Sequence, residues 1–228
     1  MGDASNYALG ARQQQIRDAL LAKDKFTEQD LLDIQLDDRA LFLTPWHQHL
    51  TALIKENTQP VMHGNDALLS VLNNWGAAAS AESVGYRLVR NFRLKTIEYA
   101  MAPFVTVLTQ ADESFQFKFV KRSSEYPVWA MVTQQPEHLL NPEFESWDAL
   151  QLAALEDVLA TMAEDGTPLS EQTWGVQNSA SIIHPLVKAI PALDAFLSMP
   201  KDRLSGDSHK SRVQTPTNGA SERMVVTP

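Results

Sequence analysis

Six histidines are the residues of this 228-residue chain best suited to hold a metal ion or to act as a general base. His47 and His49 lie two positions apart in a segment of helical periodicity, where such side chains diverge by about 200°. They cannot bind one ion together, so we interpret them as a solvent-facing pair. His184 precedes Pro185 within an apolar run, which favours a hydrogen-bonded core histidine over a catalytic base.

Two acidic sequences also invite a catalytic interpretation. Asp207, Ser208 and His209 are the residue types of a catalytic triad, but adjacent residues cannot converge on one reacting group as a triad requires. Asp37 and Asp38 could form an acid–base pair, yet neighbouring helical side chains diverge by about 100°. We expect these two aspartates to lie on a solvated helix face or at a helix break. The motifs of the sequence contain no self-sufficient active site.

The chain lacks the residue types and motifs of several kinds of active or binding site. It has no cysteine, which excludes disulfide bonds, thiolate zinc sites and a cysteine nucleophile. It has no glycine-rich phosphate loop, no Gly-x-Ser-x-Gly turn and no His-Glu-x-x-His helix. No Lys and Arg cluster with interleaved aromatic residues occurs, which argues against a nucleic-acid partner. No apolar run reaches the ~20 residues of a membrane span, and residues 1–6 lack the features of a secretion signal.

The net charge of −9 is concentrated in one region. Residues 123–187 contain ten Asp and Glu residues but no Lys or Arg, so the rest of the chain is close to neutral. We interpret this region as a solvated face. The alternative hypothesis is a non-catalytic helical scaffold that binds a basic partner through its acidic 123–187 surface.

The periodicity of the apolar residues predicts a mainly α fold that forms one interdependent unit over residues 1–228. Thr27 followed by Asp30 predicts a capping box at the start of one of these helices. The predicted segments are 1–109 helical, 110–146 irregular, 147–200 helical and 201–228 extended.

A few strands are expected within this helical fold. Phe115, Phe117 and Phe119 alternate with polar residues, which predicts a short strand near 115–120. A second strand is predicted near 212–227. Because residues 222–228 have the pattern of a strand without the turn that would follow it, we expect the chain to be a section of a longer one.

A series of short stretches is spread over nearly the whole chain: residues 11–18 (ARQQQIRD), 26–30 (FTEQD), 35–40 (QLDDRA), 83–90 (SVGYRLVR), 127–129 (PVW), 146–150 (SWDAL), 173–175 (TWG), 184–186 (HPL) and 219–226 (GASERMVV). Taken in this order, they resemble the C-terminal part of the large (beta) chain of penicillin acylase-type enzymes. This family belongs to the N-terminal nucleophile hydrolases. The resemblance implies that the chain is a helical section of an αββα fold.

The resemblance also implies an activity and a location. Enzymes of this family are exported to the periplasm as precursors that cleave themselves and expose a serine whose own α-amino group acts as the base. They hydrolyse amide bonds of acylated compounds such as β-lactams or acyl-homoserine lactones. By this resemblance the serine, the oxyanion-hole asparagine and the calcium ligands lie before Met1, so this chain should hold no cofactor and should not catalyse alone. Its partners would be the small chain, the upstream part of the large chain and a small-molecule amide substrate.

One active-site residue can be carried over from the family. Arg12 matches, through its spacing to Ile16, an arginine that supports the oxyanion side of the site and maturation. The alternative is an exposed helix arginine without a catalytic role. The resemblance also implies that residues 221–223 enter the central sheet of the whole enzyme.

Overall fold

The computed structural model describes residues 10–121, 123–198, 200–219 and 223–226. This part of the chain is mainly helical and contains no β-sheet, only isolated bridges, which confirms the predicted fold class. The helices are α1 Ala11–Leu21, α2 Glu28–Gln35, α3 Thr44–Glu56, α4 Asn65–Asn73, α5 Val84–Ala111, α6 Glu125–Gln134, α7 Trp147–Ala163, α8 Trp174–Gln177, α9 Pro185–Ala189 and α10 Asp194–Leu197. Short 3-10 turns span Leu41–Leu43, Phe117–Phe119, Glu137–Leu139, Leu169–Glu171 and Pro191–Leu193.

The chain divides into two compact units that alternate along the sequence. Unit 1 comprises Gly10, Pro45–Leu72 and Leu88–Leu169, and unit 2 comprises Ala11–Thr44, Asn73–Arg87 and Ser170–Pro228. Each unit is therefore assembled from segments that lie far apart in sequence. That the whole chain forms one interdependent unit stays a prediction.

Side chains that cap helix ends account for two of the helix starts. The Thr27 hydroxyl accepts a hydrogen bond from the Asp30 backbone N–H, and the Asp30 carboxylate accepts one from the Thr27 N–H, which confirms the predicted capping box of α2. Ser146 caps α7 by accepting from the Ala149 N–H at 3.0 Å. These local signals fix where the two helices begin.

The core of unit 1 is an aromatic and aliphatic cluster drawn from its helices. Trp46 of α3 packs edge-on against Phe92 of α5, with ring centroids 6.2 Å apart, and against Trp129 of α6 at 4.9 Å. Burial of this surface is the main source of stability for such a helical unit. Further fully buried residues of unit 1 are Leu50, Leu68, Leu72, Leu88, Leu150, Leu155 and Leu159.

In unit 2, hydrogen bonds from buried side chains to backbone carbonyls join segments that are not paired in a sheet. Asn178 donates through Nδ2 to the carbonyls of Leu204 at 2.9 Å and Gln214 at 3.1 Å. Trp174 donates through Nε1 to the Gly206 carbonyl at 2.9 Å and stacks edge-on against Tyr86. These bonds fasten the 204–214 segment to α8 and to the residue that follows it.

The strand predicted near 115–120 is wrong. Residues Phe117–Phe119 form a 3-10 turn, and the rings of Phe115 and Phe119 pack edge-on at 6.1 Å. The alternation was misleading because a spacing of four residues also suits one helical turn. Within the described residues, no strand is present to pair with this segment, and an unpaired strand leaves its backbone unsatisfied.

The strand predicted near 212–227 is not present in the residues described there. A single antiparallel bridge joins Gln214 to Gly219, and residues 223–226 have no regular structure. Residues 220–222 and 227–228, which carry part of that prediction, lie outside the described residues. Helix α6 is a further difference, because it lies within the 110–146 stretch predicted to be irregular.

Among the described residues, no helix combines the length and apolarity needed to cross a membrane.

Candidate functional site

The candidate site is built around Arg12, which lies in the first turn of α1 and is half-buried. The buried residue of this helix is Gln15, 5% exposed, whereas Leu20 and Leu21 are exposed. Gln15 donates through Nε2 to the carbonyl of Arg39 at 3.4 Å. Arg12 and Gln15 are three residues apart and share one helix face, so the anchoring of Gln15 fixes the direction in which Arg12 points away from α1.

A cavity of about 330 Å³ lies further along α1. Ala19 at one wall is four residues beyond Gln15, and Lys23 and Phe26 follow it in the loop to α2. The remaining lining residues come from α2 and the segment after it: Asp30, Asp33, Ile34, Asp37 and Arg39. The cavity is therefore walled by ionised groups of both signs and by a few apolar side chains.

Asp37 and Arg39 form an ion pair at the wall of this cavity. Arg39 donates through Nε to Oδ1 of Asp37 at 2.9 Å and through its terminal nitrogen to Oδ2 at 2.6 Å. Partial burial opposes the ionised form of Asp37, but hydrogen bonds from the side chains of Arg39 and Gln15 outweigh it and lower the pKa of Asp37. The same Gln15 thus contacts both members of the pair.

Asp30 is the second paired carboxylate of the cavity. A hydrogen bond from Lys23, followed by those from the backbone and hydroxyl of Thr27, lowers the pKa of Asp30 to about 2. A carboxylate with so low a pKa stays ionised near neutral pH and is too weak a base for proton transfer. Asp30 and Asp37 therefore serve as fixed negative charges next to Lys23 and Arg39, and neither is suited to act as a general acid or base.

Asp38 differs from its neighbour. Burial raises its pKa above the ordinary value, and the charges of Arg212 and Lys210 only partly oppose this effect. The terminal nitrogen of Arg212 lies 3.9 Å from Oδ2 of Asp38. Asp37 and Asp38 lie directly after the end of α2, which confirms the expected helix break, but both are half-buried and so form no solvated face. Asp37 binds Arg39 and Asp38 pairs with Arg212, although the charge of Asp37 contributes to the raised pKa of Asp38.

The histidines bind separate partners. His47 Nε2 lies 3.0 Å from the carbonyl of Leu72, whereas His49 Nε2 bonds to Oε1 of Gln151 and its ring packs edge-on against Trp129. Both are half-buried, so the prediction of a solvent-facing pair is wrong, although they do not converge. The partners come from α4 and α7, which the local sequence does not reveal.

His184 is exposed, which contradicts its prediction as a core histidine. Its Nδ1 accepts a hydrogen bond from the Leu186 N–H at 3.2 Å and caps the short helix α9. The apolar residues around it are themselves exposed, including Ile183 at 47% and Leu186 at 52%. An apolar run was therefore a poor guide to burial in this segment.

Asp207 binds Tyr86 and Ser208. The Asp207 carboxylate accepts from the Tyr86 hydroxyl at 2.9 Å and from the Ser208 N–H at 2.7 Å, while the His209 ring lies 5.7 Å from that of Phe42. That the adjacent residues form no triad stays a prediction. The buried Tyr86–Asp207 bond was missed because its members are 121 positions apart.

The acidic 123–187 region is only partly a solvated surface. Glu125 is buried against Arg93, Glu156 accepts from the Met62 N–H at 2.9 Å, and Asp157 accepts from the Tyr99 hydroxyl at 2.6 Å. These carboxylates serve contacts within unit 1. No observation on the described residues favours the scaffold hypothesis, and Glu125 cannot take part in it.

No group of three or more His, Asp or Glu side chains within the described ranges could hold a metal ion.

The family model for penicillin amidase matches residues 2–228, which is nearly the whole chain. A search of curated proteins found no match.

Proposed function

The chain belongs to the penicillin amidase family, and we propose that it is the C-terminal section of the large chain of an acylase. The observation that carries this proposal is the match of the family model over residues 2–228. The family is a hydrolase family, so we place the whole enzyme among those that cleave the linear amide bonds of acylated small molecules. β-Lactams and acyl-homoserine lactones are the two substrate classes that we would test first.

The proposed chemistry is acyl transfer to a serine followed by hydrolysis. The serine begins the large chain in a segment upstream of Met1, and its own α-amino group removes the hydroxyl proton as the oxygen attacks the amide carbonyl. The amine leaves with a proton, and water then releases the acid and regenerates the serine. None of these steps uses a side chain of the cavity between α1 and α2, where hydrogen bonds lower the pKa of Asp30 and of Asp37.

Within this scheme, Arg12 is a positioning residue for the oxyanion side of the site. Its guanidinium offers several N–H donors in a fixed plane. The structure gives Arg12 no hydrogen bond or ion pair to another of the described residues. Its helix is anchored one turn away by the buried Gln15.

The test uses the parent enzyme with its small chain and upstream segment. We expect Arg12→Ala to lower kcat by about tenfold or more with little change in KM, because a displaced oxyanion donor acts on the transition state. Arg12→Lys should recover part of the loss. Arg17→Ala is the matched control, since Arg17 lies on the same helix, is 64% exposed and pairs only with its neighbour Asp18 among the described residues. A turnover unchanged in Arg12→Ala would remove Arg12 from the site.

The amide hydrolysis proposed from the family has a test of its own. The 228-residue chain alone should not hydrolyse a chromogenic phenylacetyl amide or an acyl-homoserine lactone, and coexpression with the upstream and small-chain segments should give a copurifying, active complex. The proposed periplasmic location of that complex is checked by cell fractionation. Hydrolysis by the isolated chain would overturn the proposal that the nucleophile lies elsewhere.

A further inference from the structure

Unit 1 contains a groove lined by apolar side chains. Its lining residues come from other parts of the sequence than those of the cavity at α1 and α2. It is bounded by the second half of α5, by Val120, Ser123 and Ser124, by helix α6 and by the Glu137–Leu139 turn. Its volume is about 520 Å³. Sites for small molecules typically measure ~300–1,000 Å³, so the groove has the size of a small-ligand site.

The walls of the groove are held by contacts that need no ligand. Val128 and Val132 of α6 are fully buried on the helix side that packs into unit 1. Ser124 donates through its hydroxyl to the Val120 carbonyl at 2.9 Å, and Trp147 donates through Nε1 to the Pro136 carbonyl at 3.1 Å. Because these walls are already ordered, a ligand would bind without the cost of arranging them.

The described residues of the lining include no ionisable group. Their polar members are Ser123, Ser124 and Gln134, and the rest are apolar, including Phe104 and Met131. A charged ligand would lose hydration here without meeting an opposite charge among these residues. Methionine side chains adapt to irregular apolar shapes, which suits an aliphatic or aromatic body. Ser123 and Gln134 are exposed and so have donors and acceptors to offer to one polar end.

We propose that this groove binds an uncharged small molecule with an apolar body and a single hydrogen-bonding end, bound by Gln134 and Ser123. The groove is a binding site and not a reaction centre. The proposal does not rest on the amide hydrolysis proposed above, and either can fail without the other.

The first experiment is a charge series on the 228-residue chain. Nile red, which is neutral, should bind and increase in fluorescence, and decanamide, decanoate and decylammonium are then compared as competitors. They share one alkyl length and differ in charge. We expect decanamide to displace the dye at a concentration about tenfold or more below that of either ion, a difference of about 1.4 kcal/mol. Equal competition by decanoate would overturn the proposal.

Two variants locate the binding in the groove. Ala130→Trp fills the space between the walls and should weaken the binding of both Nile red and decanamide by about tenfold or more. Thr133→Trp is the matched control, because Thr133 is exposed on the same helix and does not line the groove. Unchanged affinity in Ala130→Trp, or an equal loss in Thr133→Trp, would contradict the assignment.

Gln134→Lys tests the chemistry at an exposed position, where the fold tolerates the change even if Ala130→Trp does not fold. A positive charge there should reverse the preference, so that decanoate competes better than decanamide. An unaltered order of competitors would overturn the role of Gln134. A dye signal that requires self-association, seen as a dependence on chain concentration with a matching change in molar mass, would assign the groove to a second copy and overturn the small-molecule proposal.

Discussion

Arg93 and Glu125 form a buried ion pair between α5 and α6, 32 positions apart in sequence. Arg93 donates through Nε to both carboxylate oxygens of Glu125, at 3.0 and 2.9 Å, and its terminal nitrogen donates to Oε2. Each side chain is only 9% exposed. Trp46 completes the cluster by donating through Nε1 to Oε1 at 2.9 Å. One carboxylate therefore joins three helices of unit 1.

We expect Arg93→Met to lower the free energy of unfolding by about 3–5 kcal/mol, because Glu125 would remain as a buried charge without its partner. The double variant Arg93→Met/Glu125→Gln removes both charges, keeps an acceptor for Trp46 and should recover most of the loss. Urea unfolding measures both. Arg17→Met, which breaks an exposed pair with Asp18, should change stability by only about 0–1 kcal/mol. A double variant as unstable as the single one would show that unpaired charge is not the cause.

Asn178→Asp should destabilise unit 2 more at neutral than at acidic pH. Asn178 is 1% exposed, and its Nδ2 donates to backbone carbonyls, so a carboxylate in its place would face carbonyl oxygens. Burial and this repulsion would raise the pKa of the new Asp in the folded chain. The protonated form then favours folding, and stability falls as pH rises from the unfolded pKa of about 3.9 towards the folded value.

Thermal unfolding at pH 4 and pH 7.5 checks this prediction. Asn178→Ala should cost about 1–3 kcal/mol through its unsatisfied carbonyls, with little dependence on pH. Asn218→Asp is the surface control, since Asn218 is exposed and its side chain donates only to the neighbouring Thr217 among the described residues. If Asn178→Asp were equally unstable at both pH values, the carboxylate would not be the source of its effect.

Thr27→Ala should destabilise α2 by about 1 kcal/mol, and Thr27→Ser by much less, because serine keeps the capping hydroxyl. Asp30, which is bonded to Lys23 and to the Thr27 cap, also carries a pH dependence. The Lys23 hydrogen bond, followed by those of Thr27, lowers the pKa of Asp30 in the folded chain to about 2, below its ordinary value of 3.8, so its stabilisation is present above pH 3.8 and is lost as pH falls towards 2. An NMR titration of Asp30 in wild type and Thr27→Ala measures the part of the shift that the cap contributes. An Asp30 pKa that is the same in both chains would contradict the contribution of the capping box.

Gly206→Ala should be far more destabilising than Gly64→Ala. Both glycines have positive φ, +90° and +84°, and an L-residue there costs about 1–2 kcal/mol. A Cβ at Gly206 would also lie 2.3 Å from the Arg212 carbonyl oxygen, whereas one at Gly64 meets nothing within 4 Å. The two variants therefore separate backbone strain from steric clash. Similar urea midpoints for both would show that the 204–214 segment moves aside without cost.

The features that the sequence predicted correctly are those whose cause is local. The cap of α2 depends on Thr27 and Asp30, three positions apart, and the apolar period that predicts α5 lies within that helix. By contrast, Glu125 was counted with a solvated face because nothing near it reveals Arg93. Phe115 and Phe119 fit both the strand and the helix period, and only the missing strand partner decides between them.

The candidate site likewise depends on contacts that the local sequence does not reveal. The helix that carries Arg12 was predictable from its period, whereas the role proposed for Arg12 came from the family resemblance alone. Gln15, the residue that anchors the helix, is polar and was missed, whereas Leu20 and Leu21 of the same helix are exposed. Its position three residues after Arg12 was the available signal, since the two side chains then share one helix face.

The alternation of the two units along the chain determines how the protein can be cut. Unit 2 draws on residues from both sides of unit 1, so any polypeptide that contains all of unit 2 must also contain all of Pro45–Leu72 and Leu88–Leu169. Truncation after Leu169 would keep the described residues of unit 1 but leave unit 2 without its Ser170–Pro228 segment. If the chain were divided into two polypeptides, they would therefore have to associate to form both units. Proteolytic cleavage at one site need not separate the two parts.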